Sequence, residues 1–400
     1  MLKPIVEDNL NDIKIITNKV RHFDVIIVGA GPAGASCSIA LKDSNLSVLL
    51  VDKETFPRDK ICGDLIGGRS INILNKYVPE LVKEIRSFGM KGFNATTRIF
   101  INNHKPFNLY WKNESYCIKR IDFDELLLTY ALKNCKTLTF KSNFKIDDVI
   151  KERDKITIGN KSENIYFSAD IIVAADGSQS FLAKQLIDLH LDPSNFSAAV
   201  RAYYSNIDGI LPNQSEVHIY KEHMPGYLWI FPLGNNISNV GFGMLSEEIS
   251  KRKINLRNSL NEIISLNPEL KKRFEGAKME TSVKGFGLAL GSRRVKLFGN
   301  NFLLIGDAAS LIDPKSGDGI SNAIESGFIS ANTIIKAHEI NDFSEESLKK
   351  YKTDLYKKIG NELFISTKIL RIITYMPSFV RIFPIILRNK LLFPFTKRFL

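Results

Sequence analysis

Three short glycine-and-acid loops hold the residues of this 400-residue chain best suited to binding chemistry. The first is Gly29-Ala30-Gly31-Pro32-Ala33-Gly34, set between the apolar run Asp24-Val25-Ile26-Ile27-Val28 and the small-residue stretch Ala35 to Leu41. A second apolar run, Leu46 to Val51, ends in Asp52, 18 residues after Gly34. Glycines at this spacing allow a tight turn, close approach of backbone to a pyrophosphate and close packing of helix on strand. The phosphates then meet the free N–H groups and the positive dipole end of a helix. An acid at about this distance reaches a ribose hydroxyl, so the ordered set predicts a dinucleotide site. The second and third loops are Asp176-Gly177-Ser178-Gln179-Ser180 and Gly306-Asp307-Ala308-Ala309. Each follows a continuous apolar run, Ile171 to Ala175 and Phe302 to Ile305, of the kind buried on both faces of a parallel sheet. Loops at the carboxyl edge of such a sheet line up where ligands bind. One dinucleotide is long enough to touch all three.

Two further segments carry reactive or recognition side chains. Arg58-x-Lys60-x-Cys62-Gly63 lies in a polar stretch punctuated by Pro57 and Gly63, which reads as a loop. Its cations could grip an anionic group or simply be solvated. Tyr227, Trp229 and Phe231 alternate along one strand and share a face, which makes either an aromatic wall or an ordinary sheet core. Cys37, Cys117 and Cys135 read as reduced structural thiols, because the four cysteines form no C-x-x-C pair. The six histidines show no ligand spacing, so no metal site is expected.

The elements that must position these residues follow from periodicity. Asp122 to Leu132 is an amphipathic helix, and Gly317-Asp318-Gly319-Ile320 opens a long helix reaching about His338. Ala198 to Tyr204, Glu216 to Tyr220, Gly226 to Phe231 and Ser238 to Leu245 read as an antiparallel sheet, and Ser246 to Lys278 as charged and helical. The expected fold is α/β: a Rossmann-like nucleotide domain, an antiparallel-sheet substrate domain and a helical C-terminal region. The nucleotide domain is expected to be discontinuous over 23–75, 115–190 and 285–340. The substrate domain would take 76–114 and 191–284, with 1–22 an N-terminal extension and 341–400 a basic, apolar helical region.

Composition narrows the function. Hydrophobic content of 44% and charged content of 24% are those of a globular protein. A net charge of +12 without any Lys/Arg-rich recognition block argues against nucleic acid and leaves anionic cofactors, substrates or membrane surfaces. Met1 to Arg21 has no signal-peptide pattern, and no apolar run approaches a membrane span. Residues 363–400 carry seven basic and no acidic side chains among many apolar ones, a composition suited to an anionic membrane surface. Pro377, Pro384 and Pro394 divide that tail into short pieces. A cytoplasmic protein is expected, with peripheral attachment to the inner membrane face as the option the tail leaves open.

The set Gly29-x-Gly31-x-x-Gly34, Asp176-Gly177 and Gly306-Asp307 resembles the FAD-binding signature of the para-hydroxybenzoate hydroxylase superfamily. Arg58-x-Lys60-x-Cys62-Gly63, Tyr227-x-Trp229-x-Phe231-Pro232-Leu233-Gly234 and Asn239-Val240-Gly241-x-Gly243 are similar to the geranylgeranyl reductase family within it. That resemblance implies FAD as cofactor and saturation of prenyl double bonds on a lipid, quinone or diphosphate. NADPH, NADH or a reduced carrier would be the transient electron donor. It implies that Gly29, Gly31, Ala33, Gly34, Asp52, Lys53, Arg58, Cys62, Gly63, Arg120, Asp176, Gly177, Gly306, Asp307, Gly319 and Ile320 contact the flavin nucleotide. Asp52 would bind the adenosine ribose, where family members usually have Glu. Arg120 would lie near the pyrophosphate, and Asp307 at the ribityl chain. Tyr227, Trp229, Phe231, Pro232 and Gly234 would line the prenyl site, with Cys62, Tyr227 and Trp229 closest to the chemistry. Two rivals share the scaffold. A flavin halogenase or monooxygenase would activate oxygen instead, but no halogenase lysine motif follows the first helix. A non-catalytic prenyl carrier of the Rab escort and GDP-dissociation-inhibitor type would have lost the glycines and acids that are intact here.

Overall fold

Continuous apolar runs suit strands covered on both faces, and four of them, with the edge strand Leu138–Lys141, form the parallel core of one sheet. In this computed structural model, which describes residues 20–102 and 104–376, the spatial order is Phe302–Leu304, Ile165–Ala174, Arg21–Val28, Val48–Val51 and Leu138–Lys141. An antiparallel hairpin, Asp148–Lys151 with Ile156–Asn160, and the short strand Phe298–Gly299 complete the eight strands. Register decides where the loops fall. Val28 is level with Val51 and with Ala174, and Ala174 with Leu304. The chain therefore leaves these four strands at one edge, which gathers the loops that begin at Gly29, Asp52, Ala175 and Ile305.

The helices Pro32–Ala40, Arg120–Asn134 and Ile320–Glu339 pack together over this sheet. Ala35, Ile39, Phe123, Leu127, Ile324 and Phe328 are among the buried residues between them. Small residues let the first and last of these helices approach closely, since a Cβ at Gly327 would sit 2.5 Å from the Ala33 carbonyl oxygen.

The second sheet has nine strands, and its central part runs Phe196–Ser205, Ile237–Leu245, Gly226–Gly234, Gln214–Ile219, Phe93–Ile101 and Phe107–Cys117. It is not wholly antiparallel as expected, because Gln214–Ile219 runs parallel to Phe93–Ile101. A parallel pair needs a long crossover rather than a turn, and the intervening chain crosses to the other sheet and back. The expected helical stretch after Ser246 is three helices, Ser246–Arg252, Leu256–Leu266 and Pro268–Phe274. Lys253 in a left-handed conformation ends the first, and Pro268 begins the third. The latter two helices bury Leu260, Ile263 and Leu270 against Leu228, Ile230, Val240 and Phe242. The period of two along Gly226–Gly234 thus sends Tyr227, Trp229 and Phe231 to the opposite face, with Ala199, Phe286, Leu288 and Leu65.

The last described helix, Lys350–Tyr375, buries Tyr351, Leu355, Ile359 and Leu363 in the core of the first sheet. Its final turns leave Phe364, Ile372 and Tyr375 exposed. Among the described residues no helix is long and apolar enough to cross a membrane. Most of the expected N-terminal extension and the proline-divided tail lie outside the described residues.

Candidate active site

The first loop is shaped by contacts that leave room for no side chain at two glycines and open space at the third. A Cβ on Gly29, at φ +106°, would lie 2.3 Å from the Ala175 carbonyl oxygen, and one on Gly34 only 1.9 Å from the Gly29 carbonyl oxygen. At Gly31 the nearest atom is an Arg58 nitrogen at 3.5 Å, so the approach to the helix N-terminus is clear. Asp52 holds the loop from below: it accepts the N–H of Ala30 at 2.8 Å and that of Glu54 at 2.9 Å. Arg58 donates to Asp124 at 2.9 Å, and Arg120 donates two bonds to the same carboxylate at 2.6 and 2.8 Å. Arg58 also lies 3.9 Å from Asp52, so two guanidiniums and two buried carboxylates form one network beside Gly31. A diphosphate entering there meets guanidinium N–H groups that suit its oxygens.

The other two loops meet the first. Ser178 donates to Asp307 at 3.0 Å, and a Cβ on Gly319 would lie 3.0 Å from the other Asp307 oxygen, so that glycine packs closely on the acid. Gly306 packs on Ala33. Gly177 is required by its φ of +87° and not by crowding, since a Cβ there would meet nothing within 4 Å. Asp176 is turned inward: it accepts from the Ser180 hydroxyl and from the Leu182 N–H, which caps the helix Phe181–Ile187. Lys53 is exposed, and Ile320 packs in the helical layer with its N–H on Asp318.

The Arg58–Asp64 segment crosses from these loops to the aromatic face of the second sheet. A Cβ on Gly63 would be 3.2 Å from the Phe231 ring and 3.5 Å from the Trp229 nitrogen. Tyr227 stacks obliquely toward Trp229 at 6.0 Å, and Trp229 toward Phe231 at 6.2 Å. The Tyr227 hydroxyl donates to the Ser316 carbonyl at 2.5 Å, which ties this strand to the loop before Gly319. Burial pushes that hydroxyl above its ordinary range, reinforced by the charge of Asp313. Lys60 lies 5.7 Å from the Phe286 ring, and burial lowers its amine against the pull of Asp307. Burial also pushes the Cys62 thiol up, opposed by the Arg120 guanidinium. Cys62, Lys60, Tyr227, Trp229, Phe231 and Asp307 therefore come together. Gly234 does not: it turns the hairpin at φ +83°, packed on Lys91, with Pro232 leading to it.

Residues 22–356 match the model of a family described as FAD binding domain. The chain belongs to that family. It is 29% identical over 343 residues to digeranylgeranylglycerophospholipid reductase of Thermoplasma acidophilum, covering 83% of each chain. It is 28% identical over 328 residues to menaquinone reductase of Mycobacterium tuberculosis, covering 78% of this chain and 76% of that one. Among solved structures, a geranylgeranyl bacteriochlorophyll reductase-like protein from Thermoplasma acidophilum superposes with a TM-score of 0.78 at 26% identity, over 88% of each chain. A flavin-dependent brominase shares the fold, with a TM-score of 0.75 at 21% identity over 92% of this chain and 90% of its own. These relatives place the chain with the geranylgeranyl reductases, and its cofactor is FAD. The open helix N-terminus at Gly31 and the paired arginines are the features of this chain that fit it.

Several residues of the FAD protein's site gave no separate signal in its sequence. Asp124 shares a helix face with Arg120 at i+4, a spacing that could have revealed it. Asp64, Tyr203 and Asn239 form a buried network around Cys62, and Asp59 pairs with the buried Arg201 at 2.7 Å. Only Asn239 stood within a recognised motif.

Proposed function

We propose that this FAD protein reduces carbon–carbon double bonds of a geranylgeranyl-type chain carried by a lipid, quinone or diphosphate. The observation that carries the reading is the seating of the Arg58–Asp64 segment on the Tyr227–Phe231 face, at the same edge as the dinucleotide loops. The names of the lipid and menaquinone reductases it resembles support the substrate class. Bound FAD supplies the hydride equivalent. The chain's residues must lay an apolar alkene beside it, exclude water and deliver one proton. Tyr227, Trp229 and Phe231 with Phe286 and Leu288 offer the apolar wall. Cys62 is the proton donor of this reading: burial keeps the thiol protonated at neutral pH, and Arg120 with the Asp64 N–H stabilises the thiolate left behind. Arg58 and Arg120 hold the diphosphate of the cofactor. A nicotinamide nucleotide or a reduced carrier is the electron donor in this scheme.

The same reading sets the protein on an anionic membrane surface, where its substrate resides. Exposed Phe364, Ile372, Tyr375 and Met376 alternate with Lys368 and Arg371 over the last turns of Lys350–Tyr375, which supports an interfacial role for this end of the chain.

The test is anaerobic. Protein reduced with dithionite is titrated with a geranylgeranylated lipid; flavin reoxidation without oxygen, with product mass raised by about two hydrogens per bond, is expected. A flavin that stays reduced until air is admitted would overturn the reading in favour of oxygen activation.

A further inference from the structure

We infer that Asp64 is a positioning residue that fixes the Cys62 thiol and the Trp229 indole in one geometry, an inference that rests on the prenyl-reductase reading. The carboxylate is fully buried at φ +65°, a left-handed backbone that few side chains adopt. One oxygen accepts the Arg120 N–H at 3.3 Å; the other accepts from Asn239 Nδ2 and from the Tyr203 hydroxyl, both at 2.8 Å. Asn239 is committed three ways. Its Nδ2 also donates to the Cys62 carbonyl at 2.7 Å, and its Oδ1 accepts the Trp229 indole N–H at 2.8 Å. The Asp64 carbonyl accepts the Ile118 N–H at 2.8 Å, and its own N–H faces the Cys62 sulfur. Every donor around the carboxylate therefore belongs to a different strand or helix of the two halves that meet here. Asn239 thus joins the Cys62 backbone and the Trp229 indole through one side chain.

An acceptor with two lone-pair-rich oxygens is what this site demands. An amide at position 64 would turn an N–H₂ toward either the Arg120 N–H or the Asn239 and Tyr203 donors, and Asn239 would have to let go of Cys62 or of Trp229. Protonation of Asp64 does the same in milder form, by converting one acceptor into a donor. The charged and titratable groups facing it are Asp59 and Cys62 from its own segment, Lys119 and Arg120 from the helix start, Arg201 and Tyr203 from the Phe196–Ser205 strand, and Cys117. Burial raises the carboxyl to about 6, with the Asn239 and Tyr203 bonds and the Arg201 charge acting against it. A folded value above the unfolded one means that the native state takes up a proton first, so this group adds stability as pH falls through 6. Turnover moves the opposite way, because the protonated clamp loosens. A purely structural carboxylate would not separate the two.

The test uses D64N and Y203F in the full chain, with Trp111 replaced by Phe so that Trp229 reports alone. Expected for D64N are a retained flavin spectrum, kcat for prenyl reduction at least tenfold lower with KM within about threefold, and altered Trp229 emission. Y203F should lose about threefold. The swap D64N/N239D restores the 64–239 and Trp229 bonds but sets a carboxylate against the Cys62 carbonyl, so it recovers emission without turnover. Wild type should gain stability relative to D64N between pH 7.5 and 5.5 while its own kcat falls. Unchanged kcat in D64N, or full turnover in the swap, would overturn the inference. If D64N does not fold, unchanged kcat in Y203F does so. A wild type that reduces no alkene removes the functional reading instead, while the emission and stability series still test the clamp.

Discussion

A methyl group added at Gly34 and one added at Gly31 meet opposite surroundings. The first would lie 1.9 Å from a backbone carbonyl that cannot move without breaking the Gly29 turn. The second would point into open space, with only the flexible end of Arg58 at 3.5 Å and a backbone φ of −71° that suits any residue. G34A is therefore expected to lose folded protein. G31A should keep its unfolding temperature within a degree or two yet bind FAD at least tenfold more weakly, because the methyl occupies the approach of the diphosphate. Flavin absorbance after gel filtration, read beside thermal unfolding, separates the two; a yellow, normally active G31A would mean that the diphosphate passes elsewhere. These glycines were legible because their reasons are local. The Asp64 clamp was not, since its partners Tyr203 and Asn239 come from 139 and 175 residues away and each is an ordinary polar residue in its own strand.

At the scale of elements, the helix Ile320–Glu339 carries the loop that ties Tyr227 to Asp307. Its start is capped by Asp318, which accepts the Ile320 N–H at 3.0 Å and the Ser321 hydroxyl at 2.6 Å. Burial raises that carboxyl while the cap bonds hold it down. D318A removes the cap and should cost about 1 kcal/mol, which for a chain of this size is a shift of roughly 1–2 °C in Tm. Prenyl reduction should fall more than stability does, because Ser316 and Gly319 move with the helix start. Equal flavin content and turnover in D318A would show that the loop is held by Asp313 alone, which accepts the Lys315 and Ser316 N–H groups. Helices and apolar strands such as this one declare themselves by period. The hairpin Phe93–Ile101 with Phe107–Cys117 does not: Tyr110 and Trp111 are exposed, its buried positions mix Asn94, Thr97 and Ser115 with Phe100 and Ile101, and its parallel partner is Gln214–Ile219. Pairing across 118 residues, as between Thr97 and Ser215, leaves no mark on either segment alone.

For the whole molecule, charge and hydrophobicity converge at the C-terminal end. The chain carries a net charge of +12, and the stretch after Met376 holds five basic and no acidic residues beside many apolar ones. The described core ends in a helix whose exposed Phe364, Ile372 and Tyr375 continue that character. Each basic residue near an anionic leaflet contributes about 1 kcal/mol, and the attraction is screened as the Debye length falls from ~10 Å at 0.1 M salt to ~3 Å at 1 M. A chain ending at residue 376 should therefore bind vesicles containing anionic lipid well over tenfold more weakly than the full chain, as read by co-sedimentation. The full chain should lose most of its binding at high salt and keep a residue of it from apolar insertion. Both forms should hold FAD and turn over a water-soluble geranylgeranyl diphosphate equally, since the buried side of Lys350–Tyr375 packs on the nucleotide core and remains in both. Turnover of a vesicle-borne substrate should drop only for the shortened chain. If instead the shortened chain loses flavin or soluble-substrate activity while vesicle binding is unchanged, the tail packs against the protein's own apolar surface and the membrane reading fails.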